Sequence, residues 1–109
     1  MTDDILFTVD GPVATITLNR PQKLNAVTPE MSKAIVAAVK ECNDSDTIRV
    51  VIVTGAGERA FCAGSDIKEL DTYETPWQFR NRADYCDAIR KLLKPTIAAV
   101  NGYAFGGGL

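Results

Sequence analysis

The sequence contains no histidine. That one absence removes the commonest general base and the commonest metal ligand, so no metal site is expected. Cysteine is scarce too. Cys42, Cys62 and Cys86 are odd in number and widely spaced, with no C-x-x-C pair. They read as three free thiols in a reducing compartment, which points to a cytoplasmic protein. Long apolar runs are missing as well. The longest, Ala34 to Val39, is too short to span a bilayer, so no membrane partner is expected. The opening Met1-Thr2-Asp3-Asp4 is acidic and lacks the apolar stretch of a signal peptide. No basic run exceeds the pair Arg90-Lys91, and the formal net charge is −2 with a pI near 5.0. The broad electrostatic footprint of a nucleic-acid binder is therefore absent. A local basic spot for a small anion is still compatible with these numbers.

What is present is ordinary globular usage. Hydrophobic residues make up 46% and charged residues 24% of 109 positions, enough for one domain with a core. Ile5 to Val9 is apolar and β-branched, and Asp10-Gly11-Pro12 is turn chemistry. Val13 to Leu18 then alternates, with Ala14, Ile16 and Leu18 on one face. Together these predict a β-hairpin. Pro21 stops the second strand, because proline cannot donate to a ladder. Thr28-Pro29-Glu30 opens a helix, with Thr28 as N-cap and Pro29 at the first helical position. Met31, Ile35, Val39 and Cys42 recur at helical spacing, and the helix is expected to end near Asn43.

Val50 to Val53 is a continuous β-branched run, as in strands buried on both faces of a parallel sheet. Ile97 to Val100 is a second such run. Between them, Thr75-Pro76 repeats the helix opening. Tyr85, Cys86, Ile89, Leu92 and Leu93 mark one helical face, and Lys94-Pro95 closes that helix. The expectation is an α/β chain with crossovers, no interdomain linker and a repeated strand-then-helix unit.

Three stretches could carry chemistry. Gly55-Ala56-Gly57-Glu58-Arg59-Ala60 follows a strand and matches the outline of a dinucleotide fingerprint. That fingerprint needs a helix opening at the glycines, and the following residues lack a helical period. A flexible turn explains it better. The second stretch is Ala60-Phe61-Cys62-Ala63-Gly64-Ser65-Asp66. Its small residues let a ligand approach the backbone, and Asp66 suits the N-cap of a short helix. Amides just before a helix lack internal partners and can hold negative charge on an oxygen. A capped helix after a close turn would explain the same residues. Cys62 reads as a small packing residue, since a nucleophile there would need an activating base. The third stretch is Gly106-Gly107-Gly108 after a strand, which exposes amides but would equally suit a sharp turn.

In combination the stretches are more specific. Asn19-Arg20-Pro21 with Asn25-Ala26, then AFCAGSDIKEL, then KPTIAAVNGYAFGGG, in this order, resemble the crotonase (enoyl-CoA hydratase/isomerase) superfamily. The resemblance covers nearly the whole chain. It implies a superhelix of repeated β-β-α turns, assembled as trimers or hexamers, of which residues 1–109 would be the N-terminal portion. It implies an acyl-CoA thioester substrate, with coenzyme A as part of the substrate and no separate cofactor. The backbone amides of Ser65 and Gly107 would form the oxyanion hole. Lys23, Leu24, Ala63, Ser65, Asp66, Ile67, Lys68 and Gly107 would line the substrate path, with Asp66 structural. Arg20, Lys23 and Lys68 could meet the phosphates of coenzyme A. Hydratases of the superfamily carry a glutamate just after the triple glycine and a second further on. Neither position falls within these residues, so the isolated chain is expected to be inactive and poorly folded. A non-catalytic chain that binds coenzyme A or pairs with other subunits is the alternative, and a dinucleotide-dependent oxidoreductase a lesser one.

Overall fold

The computed structural model describes residues 2–70 and 73–109. Along the chain run β1 (Ile5–Asp10), β2 (Val13–Leu18), α1 (Pro29–Asp44), β3 (Val50–Gly55) and β4 (Ala60–Cys62). Then come α2 (Ile67–Leu70), α3 (Pro76–Arg80), α4 (Tyr85–Arg90), β5 (Thr96–Ala99) and β6 (Tyr103–Ala104). The order is strand-strand-helix, strand-strand-helices, then strand-strand. The repeated unit expected from the two Thr-Pro openings is therefore present, and each unit begins with a pair of strands.

The hairpin forms as its pattern requires, with Ile5 opposite Leu18 and Asp10 opposite Val13. Ala14, Ile16 and Leu18 face inward and are buried. β2 pairs parallel with β3, and β3 pairs parallel with β5, giving the sheet order β1-β2-β3-β5. Helix α1 starts where Thr28 Oγ1 accepts from the Met31 amide at 3.1 Å. It lays Met31, Ile35, Ala38, Val39 and Cys42 against the sheet, all buried. Burying Met31, Ile35 and Val39 stabilises the fold by roughly 1.5–3 kcal/mol apiece. The three cysteines are free, two of them inside this core.

Three local expectations are corrected. The segment from Thr75 to Lys94 is not one helix but two, because Asp84 interrupts it. Its Oδ1 accepts from the amides of Cys86 at 2.9 Å and Asp87 at 3.4 Å, which starts α4 afresh. At the far end Asn43 of α1 closes α4 early, accepting from the Leu93 amide at 2.8 Å. Second, Ala60 to Cys62 is a strand and not a turn. It pairs parallel with β6 in a separate two-stranded sheet. Three residues are too few for any alternation to show. Third, the apolar run at Ile97 suggests burial on both faces, yet every residue of β5 is exposed. It is an edge strand here, and Ile97, Val100, Tyr103 and Phe105 remain open to solvent. β3, too, fully buries only one of its faces.

Candidate active site

The site is built where three backbone segments meet beyond the ends of the parallel strands. The first is the loop from Asn19 to Ala26. Leu24 and Asn25 both take left-handed backbone, at φ 55° and 57°, which folds the loop back on itself. Asn25 is fully buried and acts as its latch. Its Oδ1 accepts from the Arg20 amide at 2.9 Å, and its Nδ2 donates to the carbonyls of Ala60 at 2.9 Å and Ala56 at 3.0 Å. Asn101, just beyond β5, grips the same turn, donating to Gly57 O at 2.9 Å. The Gly55 to Ala60 stretch is thus a clamped turn leading into a strand. No helix opens at its glycines, which removes the dinucleotide reading.

The second segment is Ala63 to Lys68. Its Ala63 amide donates to Leu24 O at 3.0 Å, joining it to the loop. Val27 donates to Gly64 O and accepts from the Asp66 amide, each at 2.8 Å. In this parallel bridge Val27 uses the groups on either side of Ser65. The Ser65 amide therefore points away from Val27. Asp66 is fixed from two sides, accepting from the Lys68 amide at 3.0 Å and from Arg20 Nη1 at 2.7 Å. Both side chains of that ion pair are only 14% exposed. Arg20 Nη1 also donates to Ala26 O at 3.2 Å, so it braces the site from within. Lys23, Ile67 and Lys68 are exposed along the same rim.

The third segment is the triple glycine. It forms a single turn in which the Gly108 amide donates to Phe105 O at 2.7 Å. The Phe105 amide ties it to Cys62 O at 3.0 Å. Gly64 makes the join possible. It sits at φ +94°, and a Cβ there would lie 3.0 Å from Phe105 O and 3.2 Å from the Gly107 nitrogen. Only glycine tolerates both the dihedral and the approach. The result brings together the two segments singled out from sequence. Among the described residues, neither the Ser65 nor the Gly107 amide has an acceptor. Both residues line one cavity of about 120 Å³, together with Thr28, Ser32 and Asp84. A larger, mainly apolar cavity of about 480 Å³ lies between the sheet and α4, lined by Ile16, Leu18, Phe61 and Ile89.

Tyr85 is the residue that sequence reasoning missed. It reads there as one more member of an apolar helix face. The structure places its Oη 3.2 Å from Ser65 Oγ and directly against Gly107. The only signal available was generic, namely that a buried tyrosine needs a partner for its hydroxyl. Burial pushes that hydroxyl up to about 12, so it stays protonated at physiological pH. Burial also raises the thiols of Cys62 and Cys86, which leaves them protonated and poor nucleophiles.

Two unpartnered amides thus converge at the edge of a crossover sheet, the place where ligands of α/β proteins bind. The chain belongs to the enoyl-CoA hydratase/isomerase family, whose model matches residues 8–109. YngF of Bacillus subtilis, named provisionally as an enoyl-CoA hydratase/isomerase, is 45% identical over the whole chain and 44% of its own length. The carnitinyl-CoA dehydratase of Salmonella arizonae is 42% identical over 99% of the chain and 42% of its own. The crystal structure of enoyl-CoA hydratase from Bacillus anthracis superimposes with a TM-score of 0.84 at 35% identity, covering 97% of this chain and 43% of that one. The fold is therefore that of the crotonase superfamily. The chain spans less than half the length of these relatives.

Proposed function

We propose that this chain supplies the thioester-binding, charge-stabilising part of an acyl-CoA hydratase/isomerase-type active site. The observation that carries the reading is the pair of unpartnered amides, Ser65 and Gly107, on one small cavity. A thioester carbonyl seated there gains two donors, and these strengthen as the oxygen takes on enolate character. Donors placed where charge develops lower the barrier by about 2.7–4 kcal/mol each. Lys23, Leu24, Ala63, Asp66, Ile67 and Lys68 form the rim along which the coenzyme A portion would lie. No separate cofactor enters this scheme, since coenzyme A arrives as part of the substrate.

Adding water across an enoyl thioester also needs groups that move protons. Among the described residues, Asp84 is the carboxylate that borders the small cavity, and its Oδ1 is committed to capping α4. We therefore assign proton transfer to carboxylates outside these 109 residues, in a longer polypeptide. The open β5 edge with exposed Ile97, Val100, Tyr103 and Phe105 favours further chain or further subunits against this face. A homotrimer or hexamer in the cytoplasm is the assembly this reading implies. What the structure contributes on location is narrower: no helix among the described residues is long and apolar enough to cross a membrane.

Crotonyl-CoA hydration tests the reading. The longer polypeptide carrying this chain should turn over far above buffer, and the 109-residue chain should not. Turnover by the 109-residue chain alone would show that proton transfer is supplied from within it. No turnover by the longer polypeptide would remove hydration, leaving other thioester chemistry.

A further inference from the structure

The proposed hole has two walls, and a single phenol oxygen touches both. Tyr85 is the first residue of α4, and its ring belongs to the buried core at 8% exposure. Asp84 fixes that helix start through two backbone amides. The Tyr85 Oη is thereby delivered to a set position, 3.2 Å from Ser65 Oγ. On the other side it occupies the space that a Cβ at residue 107 would need. Gly107 is thus a glycine because a hydroxyl already stands where its side chain would be. The neighbouring Cys86 Sγ donates to Gly107 O at 3.5 Å and steadies the same peptide. Ser65 is exposed; the Val27 bridge holds the peptide groups on either side of it, and Tyr85 Oη is the partner of its hydroxyl among the described residues.

From this geometry we infer that Tyr85 is a positioning residue, whose hydroxyl sets the gap between the Ser65 and Gly107 amides by bonding to one residue and abutting the other. The inference rests on the oxyanion-hole reading above. It concerns how the hole is spaced, not which atoms occupy it. The phenol does not need to touch substrate to act. A hole that is loose by a fraction of an ångström still admits a thioester, but holds the developing oxyanion less well. The loss should therefore fall on kcat and on carbonyl polarisation, with KM little changed.

Cinnamoyl-CoA provides the probe. It is a conjugated thioester whose absorption moves to longer wavelength as its carbonyl is polarised. The experiment uses the longer polypeptide that carries this chain, as wild type, Tyr85→Phe, Ser65→Ala and the double variant. Ser65→Ala keeps the amide but removes the hydroxyl, so it breaks the same bond from an exposed position and covers the case in which Tyr85→Phe fails to fold. Each single variant should shrink the red shift and lower crotonyl-CoA kcat ~10-fold, with KM within about twofold of wild type. The double variant should match Tyr85→Phe, because that variant already removes the bond which Ser65→Ala removes. An undiminished red shift in Ser65→Ala, or losses that simply add in the double variant, would overturn the role given to Tyr85 while leaving the hole intact. A wild type that binds cinnamoyl-CoA with no red shift would instead sink the hole itself, and the inference with it.

Discussion

Arg20 and Asp66 lie 46 positions apart in sequence and 2.7 Å apart in space, Nη1 to Oδ2, with both side chains 14% exposed. This contact fastens the Asn19 to Ala26 loop to the segment that presents the Ser65 amide. Asp66 thereby takes part in a structural ion pair, and Nη1 of Arg20 is committed to it. Arg20→Ala and Asp66→Asn should each cost about 2 kcal/mol, less than a fully buried pair because some water reaches it. The double variant should cost clearly less than their sum, with a coupling of about 1 kcal/mol. Urea unfolding of the four proteins measures both quantities, and strictly additive losses would mean that the pair does not hold the loop.

Asn25 offers a sharper test of the same loop. It is fully buried, takes positive φ, and satisfies three backbone groups with one side chain. Asn25→Ala leaves the Arg20 amide and the Ala56 carbonyl without this partner, while Ala60 O keeps Asn101, and should lower stability by about 3 kcal/mol. Thermal unfolding by circular dichroism would register it, and a change under about 0.5 kcal/mol, the size of an ordinary surface substitution, would argue against the latch.

Gly64 joins the two walls of the site, and a methyl there has nowhere to go. Gly64→Ala combines left-handed strain with contacts of 3.0 Å and 3.2 Å to backbone atoms of Phe105 and Gly107. Strain alone should cost about 1–3 kcal/mol. Displacing the Gly107 amide should also reduce turnover by the longer polypeptide ~100-fold. Parallel unfolding and crotonyl-CoA kinetics separate the two effects. Full activity in a folded Gly64→Ala protein would show that the triple glycine is not part of the site.

Alkaline pH gives a stability signature. Burial raises the Tyr85 hydroxyl from its ordinary 10.0 to about 12. Between those values the folded chain holds a proton that the unfolded chain has released. Stability is therefore fully present below pH 10 and falls as pH rises towards 12, by about 2 kcal/mol in all. The buried thiols of Cys42 and Cys62 are raised in the same sense, beginning from 9.0, and add a loss of the same sign. The difference between wild type and Tyr85→Phe isolates the phenol. It should be flat up to pH 10 and then narrow, as the wild type alone loses stability. Parallel curves up to pH 12 would show that the hydroxyl titrates as if exposed.

Much of the architecture is legible in the residues themselves. Alternation at Val13 to Leu18, the Thr28-Pro29 opening and the β-branched run at Val50 each encode a local conformation with its own physical signal. Where local signals were too short or met a tertiary partner, the reading failed. β4 and β6 are strands because each finds the other. The helix expected over Thr75 to Lys94 breaks because Asp84 caps it from inside and Asn43 reaches across from another helix. The burial expected for Ile97 depends on what lies beside β5, which no periodicity within β5 can state.

For the candidate site, the sequence alone singled out two backbone segments, since their glycines and small residues, in that order, carry the family resemblance. Only the tertiary structure decided that they touch, through the φ of +94° at Gly64. It alone recast Arg20 as a brace and placed Tyr85 between Ser65 and Gly107. The physical reason is that the proposed oxyanion hole is made of amide directions. Those directions are set by bridges and turns spanning some forty residues, and no side chain in the stretch itself records them.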